Sequence, residues 1–459
     1  MSYPQTGKRQ KVRDTKAAEN VDYFQGIDKI EYNNMAASTD TNQFRYYNSS
    51  ERVHSRSMED WLKYSLSFTD FRNFGTDTQS KATVNRPWDD NTNTIDNYKR
   101  CIKAFYDLCT KLGVKYWTAF DTDLVPQTDN WDENKSHWDD IVEYISELTQ
   151  KCQIKLLWMA PDLHSHPRYV CGAFTSNEST AFVQAATQIK KCLEVSQRLS
   201  AECFLLWPYR EGYDAIFQTD VAREIKLFAK LLKITAEYKD RLNYRCQLLI
   251  MPYHGNFGRN RSSVGSLAWQ PSGADDTLHR YMWDLTSCLY FLKHHTLDRY
   301  YKVITPPGHH MYMANVYSMF GGVTITDRFN CSDAKAAALM MKCIVDQGAA
   351  PPAGVALRLR ARYGELRDVL ALHVRFMDSF ARALRAAGSL VADQLFAKQL
   401  QHRYASYYSG FGARLVSGDV SIEECEEFYK KNQTHEPTCT RSEHYHVVFQ
   451  RYLDACEHI

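Results

Sequence analysis

The sequence predicts an α/β protein, a TIM (β/α)8 barrel with a long helical C-terminal arm. Short apolar runs typical of strands alternate with helical patterns over most of the chain, which indicates a parallel sheet. These runs number eight, and eight strand–helix units favour a closed barrel. From about Asp368 onward the pattern is helical, and no further strand-like run follows.

The eight predicted strands are short and apolar, as expected of strands buried on both faces. They comprise an early run near 65–71 and the runs 116–121, 154–160, 203–208, 247–252, 301–305, 321–326 and 354–359. Helical patterns lie near 134–152, 179–199, 219–240, 277–295, 310–318 and 333–347. Two earlier helices are predicted over 58–68, with Ser57 as N-cap, and over 99–112.

The 459 residues divide into four predicted parts. A polar, basic tail covers 1–21 and the barrel covers 22–367, with an inserted loop at 254–278. The helical arm covers 368–433, and a C-terminal extension covers 434–459. Apolar arm positions such as Phe376, Met377, Phe380, Leu384, Leu390, Leu395 and Phe396 would form an exposed patch on an isolated arm. We therefore expect the arm to pack against another surface.

Composition is that of an ordinary soluble globular protein, with 44% hydrophobic and 24% charged residues. The net charge of +2 makes no whole-protein case for nucleic acid or an anionic membrane. Thirteen cysteines occur without a CxxC pair, which favours free thiols in a reducing compartment. No apolar run approaches the ~18 residues of a membrane span. We expect an intracellular protein, cytoplasmic or mitochondrial, without membrane insertion.

The strand predicted at 247–252 ends where a barrel places its chemistry. Its end carries Met251, Pro252 and Tyr253. A thioether, a proline ring and a phenol are poor ligands for a hard metal ion, and none is an obvious general base.

Eight short strings, in order, carry a resemblance to a known family. They are FRYYN at 44–48, MEDWL at 58–62, NRPW at 85–88, KLGVKY at 111–116, KLLW at 155–158, SHPRY at 165–169, GAFTS at 172–176 and REGY at 210–213. The ordered set resembles xylose isomerases of the longer bacterial and fungal class, from about residue 22 to 429. The resemblance implies a barrel whose arm wraps a neighbouring subunit, usually in a tetramer. It also implies aldose–ketose isomerisation by a hydride shift that two divalent metals assist.

Several positions that carry chemistry in this family are replaced. They are Phe120 for the ring-opening histidine, Met251 for a bridging glutamate, Tyr253 for the lysine, Pro306 for a second glutamate, and Thr324 and Arg358 for aspartates. Asp123, Trp158 and His309 remain as a remnant pocket. Arg358 places a cation where the family has a metal-binding anion, and we expect a carboxylate beside it, with Asp123 as the first candidate.

These replacements predict a catalytically inactive protein without metal or other cofactor. It would be a structural or interaction subunit of a larger assembly, bound to protein partners or to copies of itself through the arm. Two alternatives stay open: a non-catalytic module that binds a sugar or a phosphate compound, and an enzyme with altered, metal-independent isomerase-type chemistry. A pocket filled by Phe120, Met251, Tyr253 and the insertion favours a scaffold, and an open pocket favours binding.

Two further groups of residues are candidate sites. Asp121, Asp123, Asp162, His164 and His309 could form a new site, but they follow three different strands and their spacing does not demand convergence. The arginines 358, 360, 362, 367, 375, 382 and 385 could form a phosphate or nucleic-acid surface. Solvated helix faces and salt bridges between subunits explain them better, so the sequence does not support a nucleic-acid partner.

Overall fold

Eight parallel strands close into a barrel in chain order, which confirms the predicted fold class. The computed structural model describes residues 21–76, 83–128, 130–252, 279–361, 364–432 and 441–456. The barrel strands are β3 (Tyr64–Ser67), β4 (Tyr116–Phe120), β5 (Lys155–Ala160), β6 (Cys203–Leu206), β8 (Gln247–Ile250), β10 (Tyr301–Thr305), β11 (Phe320–Thr326) and β12 (Val355–Arg358). The last strand, β12, pairs with β3 and closes the ring, with Leu357 opposite Leu66.

Four two-residue strands lie outside the barrel and form antiparallel ribbons. β1 (Arg52–Val53) pairs with β2 (Arg56–Ser57), and β7 (Gly212–Tyr213) pairs with β9 (His279–Arg280). The second ribbon replaces the start of the helix predicted over 277–295. In that ribbon a Cβ at Gly212 would meet the carbonyl oxygen of His279 at 2.5 Å, so the close pairing requires glycine.

The helices surround the barrel and continue into the arm. They are α1 (Met58–Leu62), α2 (Phe68–Arg72), α3 (Ile95–Leu112), α4 (Asp121–Leu124), α5 (Trp131–Cys152), α6 (Ser179–Arg198), α7 (Val221–Arg241), α8 (Leu285–His294), α9 (His309–Val316), α10 (Ala334–Asp346), α11 (Leu366–Ala392), α12 (Leu395–Arg403), α13 (Gly410–Ser417), α14 (Ile422–Lys431) and α15 (Ser442–Ala455). No helix of the described residues is long and apolar enough to cross a membrane.

The first barrel strand was predicted wrongly in detail. A single helix over 58–68 is contradicted, because Lys63 takes a left-handed conformation with φ 37° and ends α1. The strand then runs only to Ser67, whose hydroxyl accepts a hydrogen bond from the Asp70 amide at 3.2 Å and starts α2. The early run is therefore a strand followed by a helix, and Asp70 lies on the helix.

The barrel interior holds its own apolar cluster. Its members are Phe120, Leu157, Trp158, Ala160, Cys203, Leu205, Leu249, Met251, Ile304 and Ala353, all buried. A larger core lies between the strands and the surrounding helices. The interior is thus a packed layer of side chains, as in other TIM barrels.

The first helix of the arm packs on the chain's own barrel. Phe376, Met377, Phe380, Leu384 and Leu390 of α11 are at most 1% exposed, and α11 lies against α10. These five side chains therefore find their surface within the chain itself, and association through the arm stays a prediction. Later in the chain, α15 returns to α10 and α11 and buries Phe449 and Leu453.

Some predicted features lie outside the described residues. They are most of the tail at 1–21, Tyr253, the insertion at 254–278, Arg362 and parts of the extension at 434–459. The twelve described cysteines form no disulfide.

Candidate functional site

Phe120, Met251 and Trp158, three positions that the resemblance places in the family's pocket, belong to the apolar cluster inside the barrel. Phe120 is 5% exposed, Met251 2% and Trp158 3%. Met251 directly follows β8, and its amide donates to the carbonyl oxygen of Leu206 at 3.0 Å, which extends the sheet by one residue. These side chains therefore form the apolar floor beneath the C-terminal mouth.

The other family positions lie on or directly after later strands. Thr324 is buried within β11, and Pro306 follows β10. His309 is the first residue of α9, after Gly308, which has a φ of 110°. Within the described residues, no hydrogen bond or ring contact joins Asp123, Trp158 and His309 into one remnant pocket.

Asp123 lies on α4 and is held by its own neighbourhood. Its Oδ2 accepts hydrogen bonds from the Thr69 hydroxyl and from the Phe120 amide, the latter at 3.3 Å. Arg72 donates to the Asp123 carbonyl oxygen at 2.8 Å. Burial raises the pKa of Asp123 to about 6, although Thr69 and Arg72 act to lower it.

Arg358 has a carboxylate partner, but it is not Asp123. Its Nε donates to Oδ2 of Asp70 at 3.0 Å, and the two side chains are 18% and 15% exposed. The same Asp70 oxygen accepts a hydrogen bond from the Ser67 hydroxyl at 2.6 Å. The choice of Asp123 as first candidate was wrong because Asp70 projects from α2, a helix that the sequence pattern presented as a strand.

An aspartate–histidine pair follows β5. His164 Nδ1 lies 3.0 Å from Oδ1 of Asp162. That oxygen also accepts from the amides of His164 at 3.1 Å and Ser165 at 2.9 Å. Burial acts to raise the pKa of Asp162, but the contacts with His164 and Ser165 outweigh burial and hold this pKa well below its usual range. Asp162 is thus an ionised anchor for the imidazole.

Asp121 holds the backbone of Asp162 in place. Its Oδ1 accepts from the Asp162 amide at 2.7 Å, and its Oδ2 accepts from Gln188 Nε2 at 2.7 Å and from the Cys192 thiol at 3.3 Å. Of the five polar residues considered as a new site, the structure therefore joins Asp121, Asp162 and His164. Asp123 and His309 belong to separate environments.

An aromatic wall stands beside His164. The ring centroid of His164 is 4.9 Å from that of Trp207, 5.4 Å from Tyr209 and 5.6 Å from Phe120. The Arg358 guanidinium carbon lies 5.8 Å from the Trp207 ring centroid. Trp207 thus lies between an imidazole and a guanidinium, and we name Asp70, Asp162, His164, Trp207 and Arg358 the mouth cluster.

Sequence reasoning missed Asp70 and Trp207. The Ser67–Asp70 spacing was the available signal for Asp70, since a serine three residues before an aspartate is typical of a helix start. For Trp207 the only signal was its position directly after β6, at the mouth end of a strand.

Glu211, in the REGY string, makes contacts that give it a structural role. Its carboxylate is buried and accepts from the amides of Ala173, Phe174 and Thr175 at 2.9, 3.1 and 3.0 Å. It also accepts from the Thr175 hydroxyl at 2.7 Å. The residue fastens the loop after β5 to the segment after β6.

The described residues do not fit the pair of divalent metals that the resemblance implies. Met251, Pro306 and Thr324 offer no carboxylate, and the guanidinium of Arg358 repels cations. Across the described ranges, no three His, Cys, Asp or Glu side chains come together as metal ligands. The prediction of a protein without metal or other cofactor stays a prediction.

The fold and the mouth cluster define a TIM-barrel protein with its polar groups at the C-terminal end of the strands. The chain is 30% identical over 454 residues to the xylose isomerase of Caldicellulosiruptor bescii, which covers 94% of this chain and 99% of that protein. It is 28% identical over 456 residues to the xylose isomerase of Thermoanaerobacterium saccharolyticum, with 94% and 99% covered. The chain belongs to the xylose isomerase family.

Two further comparisons add detail. Residues 400–453 match the XylA2 C-terminal domain. A solved structure of D-psicose 3-epimerase with D-tagatose, from Clostridium cellulolyticum H10, is similar with a TM-score of 0.42 and 11% identity. That likeness covers 71% of this chain and 96% of the other.

The family result corrects one prediction. Relatives that match over nearly their full length are named as an enzyme, xylose isomerase. The prediction that this protein is not an enzyme is therefore wrong.

Proposed function

We propose that this protein is a sugar isomerase that interconverts an aldose and a ketose by proton transfer at the mouth cluster. The observation that carries the proposal is the Asp162–His164 pair, with Nδ1 and Oδ1 3.0 Å apart. An ionised carboxylate on Nδ1 favours the tautomer with its proton there, which leaves Nε2 as the base.

The chemistry needs one base and a place for the sugar. His164 Nε2 takes the proton from the hydroxyl-bearing carbon next to the sugar carbonyl, and the carbonyl oxygen takes a proton from solvent to give an enediol. The imidazolium then returns its proton to the former carbonyl carbon while the neighbouring hydroxyl releases its proton to solvent, so one C–H bond and one O–H bond break and one of each forms. The rings of Trp207 and Tyr209, 4.9 Å apart, offer an apolar face for the sugar carbons.

Turnover in deuterated water tests this proposal. The purified protein is incubated with a panel of aldopentoses and aldohexoses, and the ketose formed is analysed by mass spectrometry and NMR. A proton transfer incorporates solvent deuterium at carbon, whereas a hydride shift carries the substrate hydrogen across. We expect deuterium in the product.

Variants assign the base. His164→Gln should lower turnover by about 10²–10⁴-fold, the usual contribution of a positioned base. His294→Gln is the matched control because it changes a histidine on α8 outside the mouth cluster. Unchanged turnover in His164→Gln, or product without solvent deuterium, would contradict the proposal.

We further propose that the protein associates with a second copy of itself through the outer arm, residues 395–432. No residue of this segment is buried. It exposes large apolar side chains, namely Leu400, Tyr404, Tyr407, Tyr408, Leu415, Val416, Ile422, Phe428 and Tyr429. Monomers rarely expose so many apolar groups together, and the resemblance implies an arm on a neighbouring subunit.

Light scattering tests the association. The unaltered chain should elute as a dimer or a larger assembly, and Val416→Asp with Ile422→Asp should shift it towards the monomer. Phe217→Asp is the control, because Phe217 is 83% exposed but lies outside the arm. A monomeric unaltered protein at micromolar concentration would refute self-association.

A further inference from the structure

Arg358 is the last residue of the last barrel strand, and most of its guanidinium N–H groups have no partner among the described residues. Its side chain is 18% exposed and its Nε is bound to Asp70. The terminal nitrogens Nη1 and Nη2 have no hydrogen-bond acceptor among the described residues. A guanidinium carries five N–H donors, so four of them are left to face a ligand or water.

The carboxylates around the mouth are not available to take these donors. Asp70 accepts from Ser67 and Arg358, and Asp162 accepts from two amides and lies 3.0 Å from the imidazole Nδ1. Asp123 accepts from Thr69 and the Phe120 amide. Each of these carboxylates therefore already accepts hydrogen bonds from groups other than the terminal nitrogens of Arg358.

Trp207 adds a second unused donor. Its indole Nε1 is buried, and it has no hydrogen-bond partner within the described part of the chain. A buried donor left unsatisfied costs free energy, which a ligand acceptor would remove. Around Trp207, between His164 and Arg358, the unfilled groups are thus mainly donors.

We propose that the sugar substrate carries an anionic group, a phosphate or a carboxylate, and that Arg358 binds it. This inference rests on the proposed sugar isomerase function and names its substrate class. Two terminal guanidinium nitrogens match two oxygens of either anion in a bidentate contact. Asp70 acts as a positioning residue, because its contact with Nε fixes the plane of the fork. Phosphate sites after the last two strands are frequent in TIM barrels.

Binding calorimetry without turnover tests the inference. The probes are a pentose, the same pentose 5-phosphate, the corresponding pentonate and inorganic phosphate. We expect the unaltered protein to bind an anionic probe about tenfold to a hundredfold more tightly than the neutral pentose, the effect of one or two hydrogen bonds to a charged group. Preference for the 5-phosphate indicates a phosphate substrate, and preference for the pentonate indicates a sugar acid.

Variants separate this inference from the proposed chemistry. Arg358→Lys keeps the positive charge but loses the fork, so the preference should fall at least severalfold. The double variant Asp70→Asn, Arg358→Gln removes both charges, so no unpaired ion remains. It should abolish the preference for the anionic probe over the neutral pentose. Arg223→Gln, on an exposed pair with Asp220, should leave it unchanged.

His164→Gln should lose turnover while the anion preference persists. If neutral and anionic probes bind equally, or if the preference survives both Arg358 variants, the inference is overturned even where isomerisation is found. If the preference depends on Arg358 but no sugar is isomerised, the anion site stands and the proposed reaction fails.

Discussion

The Nε of Arg358 donates a hydrogen bond to Oδ2 of Asp70 at 3.0 Å, and this pair joins the last barrel strand to the helix after the first. The backbone closes the ring through β12 and β3, and the ion pair closes it again at the mouth. Both side chains are mostly buried, so each charge depends on the other.

Removing one member of this pair should cost more than removing both. Arg358→Met leaves the Asp70 carboxylate with only a hydroxyl donor, and we expect a loss of about 3 kcal/mol in unfolding free energy. Asp70→Asn combined with Arg358→Met should cost less than Arg358→Met alone, because no unpaired charge is left. Urea unfolding of all four proteins measures the coupling.

An exposed pair supplies the comparison. Arg223 and Asp220 are 74% and 54% exposed in their side chains, so Arg223→Met should cost less than about 1 kcal/mol. Equal losses in Arg358→Met and Arg223→Met would show that the barrel pair is not structurally important.

The sequence predicted the barrel well because its signal is local and repeated. Each strand is an apolar run, and the observed 301–305 and 320–326 strands lie within one residue of the predicted bounds. The mouth cluster was harder, because Asp70 and Arg358 come from distant segments and meet only when the barrel closes. Asp70 lies on a helix because Ser67 caps the helix start. The apolar residues Leu66, Phe68 and Phe71 predicted a continuous strand there instead.

Asp123 should make stability fall as pH rises. Its folded pKa of about 6 lies above the ordinary 3.8 because of burial. Between these values the folded state holds the proton more tightly, so its contribution is fully present below about pH 3.8 and is lost as pH rises to 6. The loss is about 3 kcal/mol by linkage.

Asp123→Asn removes this titration. The difference in unfolding free energy between the variant and the unaltered protein should shift in favour of the variant from pH 4 to 6. Thr69→Val should enlarge the effect, because the Thr69 hydroxyl acts to lower the pKa of Asp123. A difference that is constant with pH would count against a titrating Asp123.

His373 should act in the opposite direction. Burial lowers its pKa to about 4 from the ordinary 6.5, and its Nδ1 lies 2.6 Å from the Val369 carbonyl oxygen. Because the unfolded chain takes up the proton first, the stabilisation is present above pH 6.5 and is lost as pH falls towards 4. The loss is about 3 kcal/mol by linkage.

His373→Leu should remove the loss of stability between pH 6.5 and 4. In the unaltered protein this loss and the opposite pH dependence due to Asp123 partly cancel. Unfolding curves at half-unit steps from pH 4 to 7 separate them, since each variant removes one slope. If His373→Leu loses stability in parallel with the unaltered protein on acidification, His373 does not titrate in this window.

Glu211 should be among the most sensitive single positions outside the apolar core. Its carboxylate takes four hydrogen bonds from residues 173–175. Gly172 allows this approach, since a Cβ there would lie 2.6 Å from Glu211 Oε2. Glu211→Ala would orphan these buried donors at about 1–3 kcal/mol each, so we expect a loss above about 4 kcal/mol.

Glu211→Gln is the sharper test, because size is kept while one oxygen becomes an NH₂ group. If the amide oxygen takes the place of Oε2, three donors stay satisfied and the new NH₂ faces the Ala173 amide. Burial raises the pKa of Glu211, so the neutral amide also relieves a buried charge. We therefore expect a loss of about 1–3 kcal/mol for Glu211→Gln, well below that of Glu211→Ala. Equal losses in the two variants would mean that the charge, and not the number of acceptors, holds the loop.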